Sequence, residues 1–278
     1  MRVLITNDDG IEAPGLEALA RCAVRVGYDV SVVAPRHQMS GTGASMGALA
    51  LHEPIPVHRW RIPSLDGVSV CAAEATPAAC VILSCLGAVA SPPDLVLSGI
   101  NAGLNVGTSA LHSGTVGAAL AAAAWGAKGL AVSTATGDGE VHWDTAAAAA
   151  VDLAAWFMEE CEAGCLNVNV PNRTPAALRG VRWATLAPVG AIRSYLAGLT
   201  EADDRGGFTV LTDHRRTDPE EAPAGSDRNL VAQGYVTLTG LGGLAEWSPA
   251  DGSVPALTAD STTSDSMTSE STTPERTR

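Results

Sequence analysis

Short apolar runs alternate along the chain with stretches in which apolar residues recur every three or four positions. Residues 2–6 and 28–34 form apolar runs typical of buried strands. Residues 16–26 have the spacing of one helical face, which ends near Gly27. Because a strand, a helix and a second strand follow one another within about 35 residues, this segment predicts a βαβ unit with parallel strands.

The same alternation continues as far as Val170. The further predicted elements are a helix from Pro77 to about Ala90 with Thr76 as its N-cap, a strand at 94–98, a helix from Val116 to Trp125, a strand at 129–133, a helix from an Asp144 cap to about Ala163, and a strand at 165–170. Strands that alternate with helices in this way indicate an α/β fold. We expect a doubly wound, mostly parallel sheet in a Rossmann-like, three-layer αβα arrangement.

The pattern changes after about residue 188. Turn residues and acids then alternate with short strand-like pieces at 208–211 and 235–238, which indicate hairpins or an arm. From residue 251 onward the chain is rich in Ser, Thr, Asp and Glu and has too few apolar residues to repay the entropy of folding. We therefore predict an α/β core at 1–188, a C-terminal extension at 189–250 and a disordered, acidic tail at 251–278.

Composition and charge narrow the function classes. The 278 residues are 46% hydrophobic and carry a net charge of −13, which excludes a wholly disordered chain and argues against binding of duplex nucleic acid. No run approaches the ~18 apolar residues of a membrane-spanning helix, so we expect no membrane association. The acidic start does not fit a secretory leader, and we expect a cytoplasmic protein with reduced cysteines. An acidic protein that handles an anionic substrate needs local positive potential, from a bound cation or from helix N-termini.

Candidate chemistry first appears directly after the first predicted strand, in Asn7-Asp8-Asp9-Gly10. Adjacent carboxylates repel each other, and a hard divalent cation with oxygen ligands removes that repulsion. Metal binding is therefore one interpretation of this segment. The other is an ordinary turn, since Asn, Asp and Gly all favour turns.

Two further clusters also follow predicted strands. The loop 38–45 carries hydroxyls and glycines, but its glycine spacing and its place after the second strand argue against a dinucleotide site. The segment 98–107 is rich in Gly and Asn, and Ser113-Gly114-Thr115 precedes an Ala-rich helix whose free N–H groups suit a phosphate. Helix capping alone is the alternative for that Ser and Thr. Ligands bind at the carboxyl ends of strands in open α/β sheets, so we expect all three clusters to face one crevice.

Taken in order, these motifs resemble the SurE family (survival protein E) of metal-dependent 5′/3′-nucleotidases over about residues 1–245. The residues that carry the resemblance are Ile5–Ile11 with Ala13–Gly15, Val33–Pro35 with Ser40 and Gly41, Ser98–Gly103 with Asn105 and Gly107, Ser113–Val116, and Gly234–Val236. The resemblance implies one divalent ion, Mg²⁺ or Mn²⁺, with the ligands Asp8, Asp9, Ser40 and Asn101. It also implies a phosphate site at Asn105, Ser113, Gly114 and Thr115, with catalysis by Asp8, Asp9 and Asn105. A homodimer or homotetramer joined through the C-terminal arms is implied as well.

The chain departs from the family pattern beside these motifs, at Arg36–Met39, Ala75–Cys80 and Thr108–Ser109. These positions border the expected pocket and therefore affect substrate choice. We expect hydrolysis of a nucleoside 5′- or 3′-monophosphate to nucleoside and phosphate. The alternatives are a phosphatase for another phosphorylated metabolite and a non-catalytic protein that binds a nucleotide or a metal on the same fold.

Overall fold

A computed structural model describes residues 1–51, 53–137, 139–162, 164–201 and 207–243. The strands in this part of the chain are β1 (Arg2–Thr6), β2 (Asp29–Pro35), β3 (Val57–Arg59), β4 (Ser69–Ala73), β5 (Leu95–Ala102), β6 (Lys128–Thr134), β7 (Cys165–Val170), β8 (Val181–Trp183), β9 (Ile192–Glu201), β10 (Phe208–Arg216) and β11 (Val236–Leu241). The α-helices are α1 (Pro14–Arg25), α2 (Pro77–Cys85), α3 (Gly114–Ala124), α4 (Trp143–Glu160) and α5 (Asp227–Ala232). Among the described residues, no helix is both long and apolar enough to cross a membrane.

A central sheet organises the described chain, with the strand order β3-β4-β2-β1-β5-β6-β7-β11-β8. The six strands from β4 to β7 in this order run parallel, while β3 and β11 pair antiparallel with their inner neighbours. Helices α1 and α4 pack together, as do α2 and α3, and each pair covers its own apolar core against the sheet. The predicted doubly wound α/β fold with three layers is confirmed.

Two helix ends near the site differ from the sequence prediction. Helix α2 ends at Cys85 rather than near Ala90, because Gly87 adopts a left-handed φ of +73° just after the helix. Helix α3 begins at Gly114, two residues earlier than predicted, because the Ser113 side chain caps it.

Helix α4 also differs in its cap. It begins at Trp143 after His142, and it ends at Glu160. Asp144 was the predicted N-cap, but it lies in the first turn and forms an ion pair with Arg21 at 2.7 Å. The residue at the predicted end, 163, lies outside the described residues.

Strand β5 is longer than the predicted strand 94–98 and continues to Ala102. Its pairing with β6 shifts register between Ser98 and Asn101, and Gly99 there has a φ of +136°. Such an irregularity lets a strand continue while it redirects the side chains that follow. The segment that sequence placed in a loop is therefore held at the end of a central strand.

The predicted C-terminal extension divides between two sheets. Strands β9 and β10 form a separate antiparallel pair, whereas β11 joins the central sheet between β7 and β8. The interpretation of residues 235–238 as part of an arm is therefore wrong, because Val236 and Leu238 are buried in the main core. The contacts of the chain group Met1–Gly243 into one compact unit, and the tail predicted at 251–278 lies outside the described residues.

Candidate active site

The turn after β1 presents the two aspartates. The Asn7 side chain donates to the Gly10 carbonyl at 2.8 Å and accepts from the Gly10 N–H at 3.2 Å, and Gly10 has a φ of +99°. Asn7 thereby closes the turn through its own amide, which is common turn chemistry. The turn interpretation and the site interpretation are therefore compatible, since the turn itself holds Asp8 and Asp9 at the strand end.

Asp8 points toward the start of α3. Its side chain is buried, and its Oδ1 accepts a hydrogen bond from the Thr115 hydroxyl at 2.5 Å. A Cβ atom added to Gly114 would lie 2.7 Å from the Asp8 Cβ and 2.9 Å from its Oδ2. Burial raises the pKa of the Asp8 carboxyl, while hydrogen bonds from Thr115 and from the backbone at the start of α3 oppose that rise. The positive end of α3 is thus directed at this carboxylate.

Asp9 is half-buried and less constrained. Its Oδ2 accepts one hydrogen bond, from the Ala102 N–H at 3.2 Å. Burial raises the pKa of the Asp9 carboxyl, and the neighbouring Asp8 charge raises it further. In the part of the chain that the structure describes, neither aspartate forms an ion pair with Arg, Lys or His. Two neighbouring carboxylates therefore share a site without a basic side chain to balance them.

Ser40 and Asn101 come to this pair from two directions. The loop that carries Ser40 is bound to the turn after β1 by a hydrogen bond from the Met39 N–H to the Asp8 carbonyl at 2.7 Å, and Ser40 itself is exposed. Strands β1 and β5 pair up to Thr6 and Ser98, so Asn101 follows at the same sheet edge. The Asn101 Nδ2 donates to the Gly103 carbonyl at 2.7 Å, which leaves its Oδ1 available as a ligand.

Of the predicted phosphate residues, three lie at the start of α3. The Ser113 Oγ accepts from the Val116 N–H at 3.2 Å, so Ser113 is the N-cap of the helix. Gly114 and Thr115 lie against Asp8. The start of α3, which the sequence predicts as a phosphate site, therefore also stabilises the Asp8 carboxylate.

Asn105 is a buried residue of the loop that follows β5. Its side chain donates to the Ser133 Oγ at 2.9 Å, and its backbone N–H donates to the Asn169 Oδ1 at 2.9 Å. Its carbonyl accepts from the side chains of Asn167 and Asn169, at 2.8 and 3.1 Å. Among the described hydrogen bonds, none joins Asn105 directly to either aspartate.

Sequence reasoning missed three residues that hold this loop in place. Asn167 and Asn169 bind the Asn105 backbone from inside β7, and Asp227 accepts from the Gly107 N–H at 2.8 Å. The signal was present, since two asparagines alternate within an otherwise apolar run. A buried asparagine in a strand is costly unless its amide has hydrogen-bond partners. Here the partner is the backbone of Asn105, in the loop that follows β5.

The raised pKa of Asp9 has a measurable consequence for stability. In the folded protein its pKa lies above the ordinary value of an aspartate, so at neutral pH the charged form is less favourable in the folded than in the unfolded state. In EDTA at pH 7 we expect Asp9→Asn to raise the melting temperature of the protein. The gain should shrink as the pH falls through the raised pKa, and it should vanish below the ordinary pKa of an aspartate, where Asp9 is protonated in both states.

Thermal melts of the wild type and Asp9→Asn across this pH range test the prediction. Asp66→Asn is the matched control, because Asp66 is exposed and its one ion pair among the described residues is with the exposed Arg61. A variant that is no more stable than the wild type at pH 7 contradicts the expectation of electrostatic strain at the site.

The fold and the cluster around Asp8 and Asp9 together define the class of protein. The molecule is a doubly wound α/β protein with an acidic, oxygen-rich site at the carboxyl ends of its parallel strands, where such folds bind their ligands. The family model described as Survival protein SurE matches residues 3–190. The chain belongs to the SurE family.

Its relatives cover nearly the whole chain. It is 37% identical over 250 residues to "5′-nucleotidase SurE 1" of Burkholderia lata, which spans 86% of this chain and 90% of that protein. It is 36% identical over 242 residues to "5′-nucleotidase SurE" of Xanthomonas campestris pv. campestris, with 86% and 88% covered. The crystal structure of the SurE protein from Aquifex aeolicus has a TM-score of 0.68 at 29% identity, with 87% of this chain and 93% of that chain covered.

Proposed function

We propose that this protein is a divalent-metal-dependent phosphomonoesterase that hydrolyses nucleoside 5′- or 3′-monophosphates to nucleoside and phosphate. The observation that carries the proposal is the buried Asp8 beside Asp9, with no basic partner for either among the described residues and with the start of α3 directed at Asp8. The printed name of the relatives, 5′-nucleotidase, supports the choice of substrate.

The residues present fit a hard divalent cation. Asp8, Asp9, Ser40 and Asn101 offer oxygen donors to it, and neither carboxylate has an ion-pair partner among the described residues. We assign Mg²⁺ or Mn²⁺ to these four residues, since both ions favour oxygen ligands. When bound, such an ion stabilises negative charge on the phosphoryl oxygens and lowers the pKa of water at the site.

We assign different roles in the reaction to the two aspartates and to the phosphate-site residues. Asp8 is held by Thr115 and α3, whereas Asp9 has one oxygen without a described hydrogen bond, and we assign to it the proton of the attacking water. The water oxygen bonds to phosphorus as the ester P–O bond breaks. The departing nucleoside oxygen takes up a proton from solvent, and Asp9 returns its proton to solvent. The second N–H of the Asn105 amide, with Ser113, Gly114 and Thr115, is assigned to the phosphoryl oxygens.

A substrate panel tests the proposal. We expect release of phosphate from 5′-AMP, 3′-AMP and p-nitrophenyl phosphate with Mg²⁺ or Mn²⁺, and none with EDTA. Turnover that EDTA leaves unchanged contradicts the metal assignment. Turnover of sugar phosphates but not of nucleotides contradicts the substrate assignment, and binding without any turnover indicates a non-catalytic protein.

Thr115 provides a test of the metal site that does not depend on turnover. Thr115→Val keeps the side-chain shape but removes the donor to Asp8, so we expect the affinity for Mn²⁺, measured by calorimetry, to fall by roughly 10–100-fold. Loss of this donor also raises the pKa of Asp8, so metal binding should require a higher pH than in the wild type.

Thr237→Val is the matched control, because the buried Thr237 hydroxyl has no described partner. Its Mn²⁺ affinity should equal that of the wild type. Equal affinities for the wild type and Thr115→Val contradict the role of Thr115 as a positioning residue.

We also propose that copies of the chain associate through the hairpin β9–β10, and that the protein is cytoplasmic. Leu199 and Val210 face each other in this hairpin and are 59% and 51% exposed, an apolar surface that favours burial. All six cysteines are free, which fits a reducing compartment. Leu199→Lys with Val210→Glu should lower the mass measured by light scattering to that of a monomer. A wild-type protein that is already monomeric contradicts the association.

A further inference from the structure

A cavity lies beside the end of β7 and the hairpin β9–β10. It has a volume of about 570 Å³, and it is also lined by Gly103 and Leu104, which follow Asn101 and Ala102 in the chain. Its walls are mainly apolar and include Pro171, Ile192 and Val231. A cavity of this size holds a nucleoside or another body of similar volume.

The cavity is physically joined to the proposed metal site through Gly103. The Gly103 carbonyl accepts the hydrogen bond that orients Asn101, at 2.7 Å, and the Gly103 N–H donates to the Thr134 carbonyl at 2.9 Å. One residue therefore forms both the wall of the cavity and the support of a proposed ligand.

Three arginines line the cavity, Arg173, Arg216 and Arg228, and no Asp or Glu is among its described lining residues. The Arg228 guanidinium donates to the carbonyls of Gly190 and Thr217, so it is part of the framework. Arg173 has one long bond, to the Ala232 carbonyl at 3.5 Å. The Arg216 guanidinium has no hydrogen bond or ion pair among the described residues. Two guanidiniums are therefore available to a ligand.

These three cations line one cavity in a chain with a net charge of −13, and the acids nearest to them, Asp218, Glu221 and Asp227, act on Arg228. Guanidinium groups bind phosphate through paired, charge-assisted hydrogen bonds, most strongly where the surroundings are partly apolar. The cavity beside the turn after β1 has a different charge. Asp9 and Glu12 line it, and its Arg36 pairs with Glu74 at 3.6 Å. Of these two cavities, the arginine-lined one is therefore the more favourable for a second anionic group of a substrate.

We propose that the arginine cavity binds the leaving-group part of the substrate, and that Arg173 and Arg216 select leaving groups that carry a second phosphate. The preferred substrates are then nucleoside bisphosphates rather than nucleoside monophosphates. In this reaction water attacks one phosphorus, its P–O ester bond breaks, and the products are inorganic phosphate and a nucleoside monophosphate. The inference rests on the proposed phosphomonoesterase function.

The kinetic test compares 5′-AMP with adenosine 3′,5′-bisphosphate, two substrates that differ only in the second phosphate. We expect the wild type to show the higher kcat/KM for the bisphosphate. In the double variant Arg173→Gln with Arg216→Gln, the ratio of the two kcat/KM values should fall by about tenfold or more, mainly through KM. Arg61→Gln removes an exposed charge elsewhere and should leave the ratio unchanged. An equal ratio in the wild type and the double variant overturns the proposal.

Folding and function are separated by two further measurements. Arg216→Gln alone changes an exposed side chain and should lower the ratio even if the double variant folds poorly. Calorimetric binding of adenosine 3′,5′-bisphosphate in EDTA, where the metal-dependent reaction is stopped, should be weaker in Arg216→Gln than in the wild type. If binding in EDTA depends on Arg216 but the protein shows no turnover with Mg²⁺ or Mn²⁺, the role of the cavity is supported and the phosphomonoesterase function is refuted. If the protein shows metal-dependent turnover but binding does not depend on Arg216, the phosphomonoesterase function is supported and the role of the cavity is refuted.

Discussion

The Asp9→Asn variant is expected to hydrolyse 5′-AMP with kcat/KM lowered by about 10²–10³-fold or more. Asparagine keeps the size of the side chain and the acceptor for the Ala102 N–H, but it removes one of the two charges that hold the cation. It also removes the base that we assign to the attacking water. The measurement is phosphate release in Mg²⁺ and in Mn²⁺ at saturating and at low concentrations of 5′-AMP.

Two comparisons make this result specific to the site. Asp66→Asn removes an equal charge from the surface and should retain wild-type activity. The Asp9→Asn protein should also remain folded, and in EDTA it should melt above the wild type at pH 7 for the reason given above. Activity close to that of the wild type in either metal contradicts the assignment of Asp9.

Gly129→Ala is expected to lower the free energy of unfolding by about 3 kcal/mol. Gly129 lies at the point where β6 passes α3, and a Cβ atom there would be 2.0 Å from the Ala119 carbonyl oxygen and 2.6 Å from its carbon. Both partners are backbone atoms of regular elements, so neither can move without shifting a strand or a helix. Chemical denaturation of the variant and the wild type measures the difference.

Gly137→Ala is the matched control for this prediction. Gly137 has no atom within 4 Å of an added Cβ and no left-handed φ, so the change should alter stability by less than about 0.5 kcal/mol. A Gly129→Ala protein as stable as the control contradicts the close packing of α3 on the sheet. That packing matters for function, since the same helix directs Gly114 and Thr115 at Asp8.

The two aspartates illustrate how stability and function are opposed in this fold. Burial raises the pKa of both carboxyls, and the Asp8 charge raises the pKa of Asp9 further, which disfavours the charges that a cation requires. The Thr115 hydroxyl and the backbone at the start of α3 offset part of that cost for Asp8. A bound cation removes the remaining repulsion, so we expect metal binding and folding stability to be coupled.

The candidate site could be located from sequence because its parts follow strands. The turn Asn7–Gly10 and the capping Ser113 are local structures, set by residues within four positions of each other, and both occur as predicted. Their common position at one sheet edge follows from parallel pairing alone. The role of Thr115 as a partner of Asp8 could not be predicted, because the two residues are 107 positions apart.

Local patterns therefore determined the alternating strands and helices, the parallel core and the edge of the sheet that carries the aspartates. Periodicity and turn chemistry depend on neighbouring residues, so they can be recognised without the rest of the molecule. Only the tertiary structure decided that β11 leaves the predicted arm to pair with β7, and that Arg173 and Arg216 meet at one cavity. Those contacts join distant segments, and they are decided by which apolar faces can be buried together and by which buried polar groups find partners.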